Sequence, residues 1–142
     1  MKIKLEELQN FAHDIASRVA PKEGSAFLIT LTGELGAGKT TLVQALSREL
    51  SVGAAIKSPT FALMKRYSIN YSGFTSFVHI DAYRLSGAHE FATLKPDTFL
   101  NDPHSIVCIE WPERVEEALP KADIALRFEH AAEEDVREIS ES

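Results

Sequence analysis

The spacing of apolar residues along the chain predicts a sheet whose strands are separated by helices. Apolar side chains recur at steps of three and four over residues 5–19 and 41–50, which is the period of an amphipathic helix. Short apolar runs predict strands over residues 26–31, 105–110 and 122–128. Strands that alternate with helices are typical of an α/β fold.

A β-hairpin is predicted in the middle of the chain. Residues 61–67 and 76–81 have strand-like patterns, and the polar residues 70–73 between them suit a turn. Further on, residues 113–119 predict a helix, with Pro112 at its first position.

One loop in this pattern carries candidate chemistry. Residues 33–40, between a predicted strand and a predicted helix, match the phosphate-binding pattern GxxxxGK[ST] at every fixed position. Glycines let the backbone wrap around a phosphate chain, and the N-terminus of the following helix favours anions. Lys39 would neutralise the β- and γ-phosphates, and the Thr40 hydroxyl would ligate the accompanying Mg²⁺. The alternative is a chance match in a glycine-containing turn, but the flanking strand and helix favour a nucleotide site.

The strand, loop and helix together predict the fold class. We expect a three-layer P-loop NTPase-like α/β fold, with a mostly parallel central sheet, an antiparallel hairpin and flanking helices. A length of 142 residues suits a single domain. We expect a P-loop ATPase domain over residues 1–132 and an acidic C-terminal tail over residues 133–142. Much of residues 129–142 is expected to be frayed or solvated, because this stretch holds six acids and one arginine, although Val136 and Ile139 are candidates for prolonging a short element.

Two predicted strands end in an acidic residue. Asp81 and Glu110 each follow an apolar run, which is the form of a Walker B strand. Ligands of open α/β sheets bind at the carboxyl ends of the strands, so both acids are candidates for the catalytic and metal-binding side of the site. The alternative for each is an ordinary carboxylate that caps a loop.

Two other residues are candidates for the same site. Thr60, in the segment 58–60 between the loop helix and the hairpin, is a candidate γ-phosphate sensor, although a plain proline-containing turn is a serious alternative. Trp111, directly after Glu110, either packs in the core or covers the site.

Charge and composition narrow the possible partners. A net charge of −6 argues against a broad DNA- or RNA-binding surface. The sequence has neither a signal-peptide pattern nor a run of about 18 apolar residues, so we expect a cytoplasmic protein without a membrane span. It also lacks the Asn-Lys-x-Asp signature with which P-loop proteins usually read guanine, and ATP is therefore favoured over GTP.

Four blocks together resemble one known family. Residues 33–41, 58–61, 79–85 and 109–113, in this order and at this spacing, are similar to the TsaE (YjeE) family of small bacterial ATPases. The resemblance extends over residues 5–128. It implies a P-loop protein that hydrolyses ATP slowly by itself and takes part in forming threonylcarbamoyladenosine in tRNA. It also implies two partner proteins, TsaB and TsaD, of which TsaD carries out the transfer to tRNA.

The resemblance also implies roles for individual residues. Phosphate contacts fall on the loop and the first helical turn, at Gly36, Ala37, Gly38, Lys39, Thr40 and Thr41. Gly33, the first glycine of the motif, is a further candidate for nucleotide binding. Thr40 and Glu110 hold Mg²⁺, and Asp81 is the Walker B acid beside the metal. Thr60 belongs to a switch-like segment. Trp111 lies beside the nucleotide, and the late arginine that approaches it is Arg137. Leu5 and its neighbours stand where relatives often have a threonine near the adenine, so the base contacts stay unassigned.

Two other functions remain open from the sequence. Short P-loop proteins often are small-molecule kinases, but such kinases usually carry an arginine-bearing lid, and no arginine-rich segment is present. The third possibility is a module in which ATP occupancy, without turnover, drives assembly.

Overall fold

The computed structural model describes residues 1–34, 36–52 and 63–142. Its helices and strands, in chain order, are β1 (Lys2–Lys4), α1 (Leu8–Arg18), β2 (Phe27–Gly33), α2 (Lys39–Glu49), β3 (Met64–Tyr71), β4 (Phe74–Asp81), α3 (Ala88–Ala92), α4 (Asp97–Leu100), β5 (Ser105–Glu110), β6 (Ile124–His130) and β7 (Val136–Glu141). Within the described ranges, the strands form a seven-stranded sheet in the order β1-β7-β6-β2-β5-β4-β3.

The sheet is parallel at its centre and antiparallel at both edges. Strand β2 pairs in parallel with β5 and with β6, and β4 pairs in parallel with β5. The predicted hairpin is confirmed as the antiparallel pair β3 and β4. At the other edge, β7 lies antiparallel between β6 and β1. The expected α/β class is therefore confirmed, with a second antiparallel edge that the sequence pattern did not indicate.

Two apolar cores lie on opposite faces of the sheet. One core contains the buried faces of α1 and α2 together with Ile29, Leu31 and Cys108. The other contains Phe91 and Phe99 from α3 and α4 together with residues such as Leu28, Ile80 and Ile109. Alternate residues of β2 and β5 therefore pack in different cores, which explains why these strands are apolar without interruption. The result is the expected arrangement of three layers.

The predicted helix over residues 113–119 is wrong. The chain instead forms two short 3-10 turns, Pro112–Arg114 and Glu116–Ala118, which are separated by Val115. Val115 is fully buried and has φ −136° and ψ 23°, outside the α-helical region. We infer that burying this β-branched side chain in the second core interrupts the helix.

The expectation that much of residues 129–142 is solvated is confirmed, because most of these residues are exposed, but the expectation that the stretch is frayed is wrong. This stretch contains the end of β6 and all of β7, and β7 is hydrogen-bonded on both sides. Val136 and Ile139 are buried, whereas the acidic residues around them are not. Where the P-loop domain ends stays a prediction.

The topology gathers three strand ends at one edge of the sheet. Strand β2 ends at Gly33, and the neighbouring strands β5 and β4 end at Glu110 and Asp81, which are register partners. Parallel pairing makes this convergence unavoidable, because parallel strands end on the same side. Among the helices that the structure describes, none combines the length and apolar character needed to cross a bilayer.

Candidate nucleotide site

The loop after β2 meets α2 with the geometry of an anion site. Gly38 precedes the first helical residue with φ +100°, a left-handed conformation that favours glycine. The helical ladder begins with the Leu42 N–H, which donates to the Gly38 carbonyl. The N–H groups of Lys39, Thr40 and Thr41 therefore have no acceptor within the helix and can bind an anion.

Gly33 fixes the start of the loop against a neighbouring strand. Its φ is +147°, and a methyl group built on its Cα would collide with the carbonyl oxygen of Phe128 in β6. This close approach of two backbones admits glycine alone. The first glycine of the motif therefore serves the packing of β2 on β6.

Lys39 folds back onto its own loop. Its side chain is only 4% exposed, and its Nζ donates to the carbonyl oxygens of Gly33 and, at 3.4 Å, of Glu34. The ammonium also lies 3.7 Å from the centre of the Trp111 ring. Burial lowers the pKa of Lys39, and the carboxylates of Glu110, Glu113 and Asp81 oppose this shift. The loop carbonyls thus bind the Lys39 ammonium, which would bind phosphate oxygens in their place when a nucleotide is present.

Thr40 and Glu110 contact each other directly. The Thr40 hydroxyl lies 3.0 Å from Oε1 and 3.1 Å from Oε2 of Glu110, whose side chain is almost completely buried. Asp81 lies one strand away, and its Oδ1 accepts a hydrogen bond of 3.0 Å from the Tyr83 N–H. The edge of the sheet therefore brings together the three residues that were expected near Mg²⁺.

The Thr40 hydroxyl and the Glu110 carboxylate suit a nucleotide-bound Mg²⁺ better than a metal site built from three or more protein side chains. In the described ranges, no group of three or more His, Cys, Asp and Glu side chains could hold a metal. Mg²⁺ in nucleotide sites usually keeps several waters and binds the phosphates with only one or two protein oxygens. A hydroxyl beside a carboxylate is the donor set that this chemistry needs.

Sequence analysis missed one residue of this cluster. His79 of β4 is fully buried, and its Nε2 lies 2.7 Å from Oε2 of Glu110. The signal was a single polar residue in the otherwise apolar run before Asp81. Strand alternation places His79 on the same face as Asp81, but it does not show that β4 pairs with β5 or that Nε2 reaches Glu110.

Trp111 contacts both the apolar core and a residue of the phosphate-binding loop. It is half-buried, packs against the second core, and presents its ring to Lys39. Its backbone is left-handed, with φ 61°, and its N–H donates to the Leu31 carbonyl over 3.1 Å. The ring of Tyr83 lies 4.9 Å from that of Trp111, and the Arg114 guanidinium lies 5.3 Å from the Tyr83 ring. Two neighbouring rings, Trp111 and Tyr83, with Lys39 at one end and Arg114 at the other, therefore lead from the loop to the surface.

Arg137 reaches the loop from the last strand. Its Nη2 lies 3.3 Å from the Gly36 carbonyl oxygen, and its Nη1 donates to the carbonyls of Glu134 and Val136. A cavity of about 240 Å³ lies between these elements. Its lining comprises most of the residues expected at the site, with Leu5 in addition: Leu5, Gly36, Gly38, Lys39, Thr40, Thr41, Asp81, Glu110, Trp111 and Arg137.

Gly33 and Ala37 are expected site residues that do not line this cavity. Ala37 is completely buried within the loop, and its N–H donates to the backbone carbonyl of Glu34. Thr60 lies outside the described residues, as does the rest of the segment 58–61. A larger cleft of about 610 Å³, lined by Thr30, Thr32 and Arg127 among others, contains none of the loop residues. We assign the nucleotide site to the smaller cavity because it holds the anion-binding backbone and both strand-end acids.

Comparison with known proteins identifies relatives over nearly the whole chain. The profile of a family described as "Threonylcarbamoyl adenosine biosynthesis protein TsaE" matches residues 3–139. A Streptomyces coelicolor protein named "tRNA threonylcarbamoyladenosine biosynthesis protein TsaE" is 37% identical, over 89% of this chain and 84% of its own. A Bacillus subtilis protein of the same name is 32% identical, over 80% of this chain and 67% of its own.

A solved structure has the same fold. The crystal structure of YdiB from Bacillus subtilis superposes with a TM-score of 0.73 at 26% identity, and the match covers 99% of this chain and 83% of YdiB. The family profile, the relatives and the shared fold thus agree with the blocks of sequence around the cavity. The chain belongs to the TsaE family.

Proposed function

We propose that this chain binds and hydrolyses ATP with Mg²⁺ and that it is an accessory protein required to form threonylcarbamoyladenosine in tRNA. The observation that carries the proposal is the cavity in which the P-loop backbone, Lys39, Thr40 and two strand-end carboxylates converge. The names of the relatives supply the pathway.

Different residues of the cavity bind the phosphates and the Mg²⁺ of the nucleotide. The backbone N–H groups at the start of α2, with Gly36 and Gly38, bind the phosphates. Lys39 exchanges the carbonyls of Gly33 and Glu34 for phosphate oxygens. Thr40 and Glu110 hold Mg²⁺, which when bound neutralises charge on the phosphates.

The remaining residues concern hydrolysis and the walls of the site. Asp81 is half-buried at the sheet edge beside Glu110, where a carboxylate can orient an attacking water. Thr60 supplies a further hydroxyl that senses the γ-phosphate. Trp111 and Arg137, which both line the cavity, contact the nucleotide.

Partner proteins explain how an acidic protein serves tRNA modification. With a net charge of −6, direct tRNA binding is disfavoured. We propose that TsaB- and TsaD-like proteins contact this chain and that tRNA is left to them. The protein would then act in the cytoplasm, where tRNA is modified.

The test combines an ATPase assay with analysis of tRNA nucleosides. We expect weak hydrolysis by the protein alone, faster hydrolysis with TsaB- and TsaD-like partners, and loss of threonylcarbamoyladenosine when the protein is depleted. Unchanged nucleoside levels after depletion would contradict the assignment. A phosphorylated metabolite formed in equal amount with ADP would indicate a kinase instead.

The variant Asp81→Asn separates turnover from occupancy. We expect it to bind ATP normally, to lose hydrolysis and to lose the tRNA modification. If the modification survives without hydrolysis, the protein is a nucleotide-gated assembly module and ATP turnover is not its function.

A further inference from the structure

We propose that His79 is a positioning residue of the nucleotide site, which holds the Glu110 carboxylate against the Thr40 hydroxyl and thereby sets the affinity for Mg²⁺. The inference rests on the proposed function, because it concerns the Mg²⁺–nucleotide complex. His79 does not line the cavity, so it would act only through Glu110.

The position of His79 in the sheet is one that an apolar residue would fill. In the parallel pair of β4 and β5, Phe77 stands opposite Ile106, His79 opposite Cys108, and Asp81 opposite Glu110. Phe77, Ile106 and Cys108 all belong to the core that packs beneath α2. Along β4, His79 therefore lies between Phe77 in this core and Asp81 at the acidic edge of the sheet.

Burying an imidazole at this position is costly for the fold alone. A buried polar group is unfavourable unless it is hydrogen-bonded. His79 is fully buried, and within the described residues its Nδ1 has no hydrogen-bond partner. The bond from Nε2 to Glu110 is thus what distinguishes His79 from an apolar side chain of similar size.

The hydrogen bonds form a directed chain towards the cavity. A carboxylate only accepts, so His79 Nε2 donates to Oε2 of Glu110 over 2.7 Å. The Thr40 hydroxyl donates to the same carboxylate over 3.0 and 3.1 Å. Because the hydroxyl proton faces Glu110, the oxygen lone pairs of Thr40 are directed away from the carboxylate and can bind a cation. His79 limits rotation of Glu110 and so maintains this orientation.

The expected effect is one of metal affinity. Partners that orient the ligands of a metal site typically change its affinity by about 10–100-fold when they are replaced. We expect a loss of this size in Mg²⁺ affinity when His79 no longer reaches Glu110. Nucleotide affinity without Mg²⁺ should change little, because His79 does not line the cavity and its hydrogen bond in the described residues goes to Glu110.

A pair of amide variants tests this expectation. In His79→Gln, the amide nitrogen can occupy the position of Nε2 and donate to Glu110, whereas in His79→Asn the shorter side chain cannot reach it. Binding of a fluorescent, non-hydrolysable ATP analogue to the full chain is measured against Mg²⁺ concentration and again in excess chelator. We expect His79→Asn to need about 10–100-fold more Mg²⁺, and His79→Gln to lie close to the natural protein.

Two controls separate positioning from a general loss of packing. Cys108→Ala removes volume beside His79 without removing a hydrogen bond to Glu110, and it should leave the Mg²⁺ dependence unchanged. In the double variant His79→Asn/Glu110→Gln, the Mg²⁺ dependence should equal that of Glu110→Gln alone, because His79 has no other route to the site. This comparison does not use His79→Gln and stands if that variant is poorly stable; if His79→Asn is the poorly stable one, a loss of Mg²⁺ affinity in His79→Gln of the size expected for His79→Asn would overturn the inference.

The outcomes distinguish this inference from the proposed function. Equal Mg²⁺ dependence in His79→Asn and the natural protein would overturn the role of His79 and leave the nucleotide site intact. Losses that add in the double variant would also overturn it, because His79 would then act by another route. Absence of any binding by the natural protein would overturn the nucleotide site and this inference together.

Discussion

The side chain of Lys39 is buried in the folded protein. Its ammonium is enclosed by the carbonyls of Gly33 and Glu34 and the ring of Trp111. Burial lowers its pKa, so the folded protein disfavours the charged form. This cost is fully present below the folded pKa and is relieved as the pH rises through it towards the ordinary value of 10.5. Lys39 therefore serves ligand binding at some expense to the stability of the fold.

The first prediction concerns removal of this charge. Lys39→Met should reduce affinity for ATP by about 100-fold or more, since charged hydrogen bonds to phosphate are lost. Its free energy of unfolding should stay within about 1 kcal/mol of the natural value, because the methionine chain suits the buried stem. Calorimetric titration and urea denaturation measure the two quantities. Lys121→Met, at an exposed lysine outside the cavity, is the control, and equal ATP affinity in both variants would refute the assignment.

Gly33 allows a second prediction, about stability. Gly33→Ala should lower the free energy of unfolding by about 3 kcal/mol or more, because its new methyl group meets the backbone of Phe128. Gly87→Ala is a matched control: Gly87 has a similar φ of +151° but open space around it. It should cost only about 1 kcal/mol, for backbone strain. Urea unfolding followed by Trp111 fluorescence separates these values, and equal costs would refute the steric explanation.

The elements differ in how well their sequence predicts them. Strands β2 and β5 are continuous apolar runs next to a recognisable motif, so both their existence and their common edge were predictable. Strand β7 could not be recognised as a strand from the sequence, because its two buried residues, Val136 and Ile139, are three positions apart. That spacing lacks the alternation of a strand, and only pairing with β1 and β6 reveals the element.

The same limit applies to the site. Parallel strands that end in acids place Asp81 and Glu110 at the same edge of the sheet, and sequence sufficed to expect this common edge. Sequence did not show that the two acids are register partners on neighbouring strands. The bond from His79 to Glu110 depends on that pairing, and the break at Val115 depends on packing in the core. Both are tertiary effects that local patterns do not contain.

A third prediction concerns the tie between α1 and β7. Arg18 forms a bidentate contact with Glu141, with distances of 2.8 and 2.5 Å, and this hydrogen bonding lowers the pKa of Glu141. Both side chains are more than a third exposed, so solvent screening limits the contribution. Glu141→Gln should therefore lower the free energy of unfolding by no more than about 0.5 kcal/mol at neutral pH.

The pH dependence of this difference provides the check. A lowered carboxyl pKa contributes stability above its ordinary value of 4.5 and loses it as the pH falls through the folded pKa. Denaturation curves of the variant and the natural protein should therefore converge below that value. Glu117→Gln, at an exposed residue, serves as the control and should show no such convergence. A difference that grows as the pH falls would contradict the assigned contact.

At the scale of the whole molecule, β7 completes the sheet. A chain that ends at residue 132 should lose about 3 kcal/mol or more of stability, or fail to fold, because it exposes the edge of β6 and the core beside Ile139. Circular dichroism and urea denaturation measure the effect, and a chain that lacks only Ser142 is the control. If the chain ending at residue 132 is as stable as the full one, the predicted domain boundary is right and β7 is dispensable.

Arg137 gives this last strand a role in the thermodynamics of the site. Its guanidinium joins β7 to the Gly36 carbonyl oxygen, so we expect nucleotide binding at the loop and the pairing of β7 in the sheet to be coupled. Coupling free energies are reciprocal. If pairing of β7 raises the affinity for nucleotide, bound nucleotide stabilises the pairing of β7 by the same free energy. Backbone amides of Val136–Glu141 should then exchange with deuterium more slowly when nucleotide is bound, at a place that lies mostly outside the cavity.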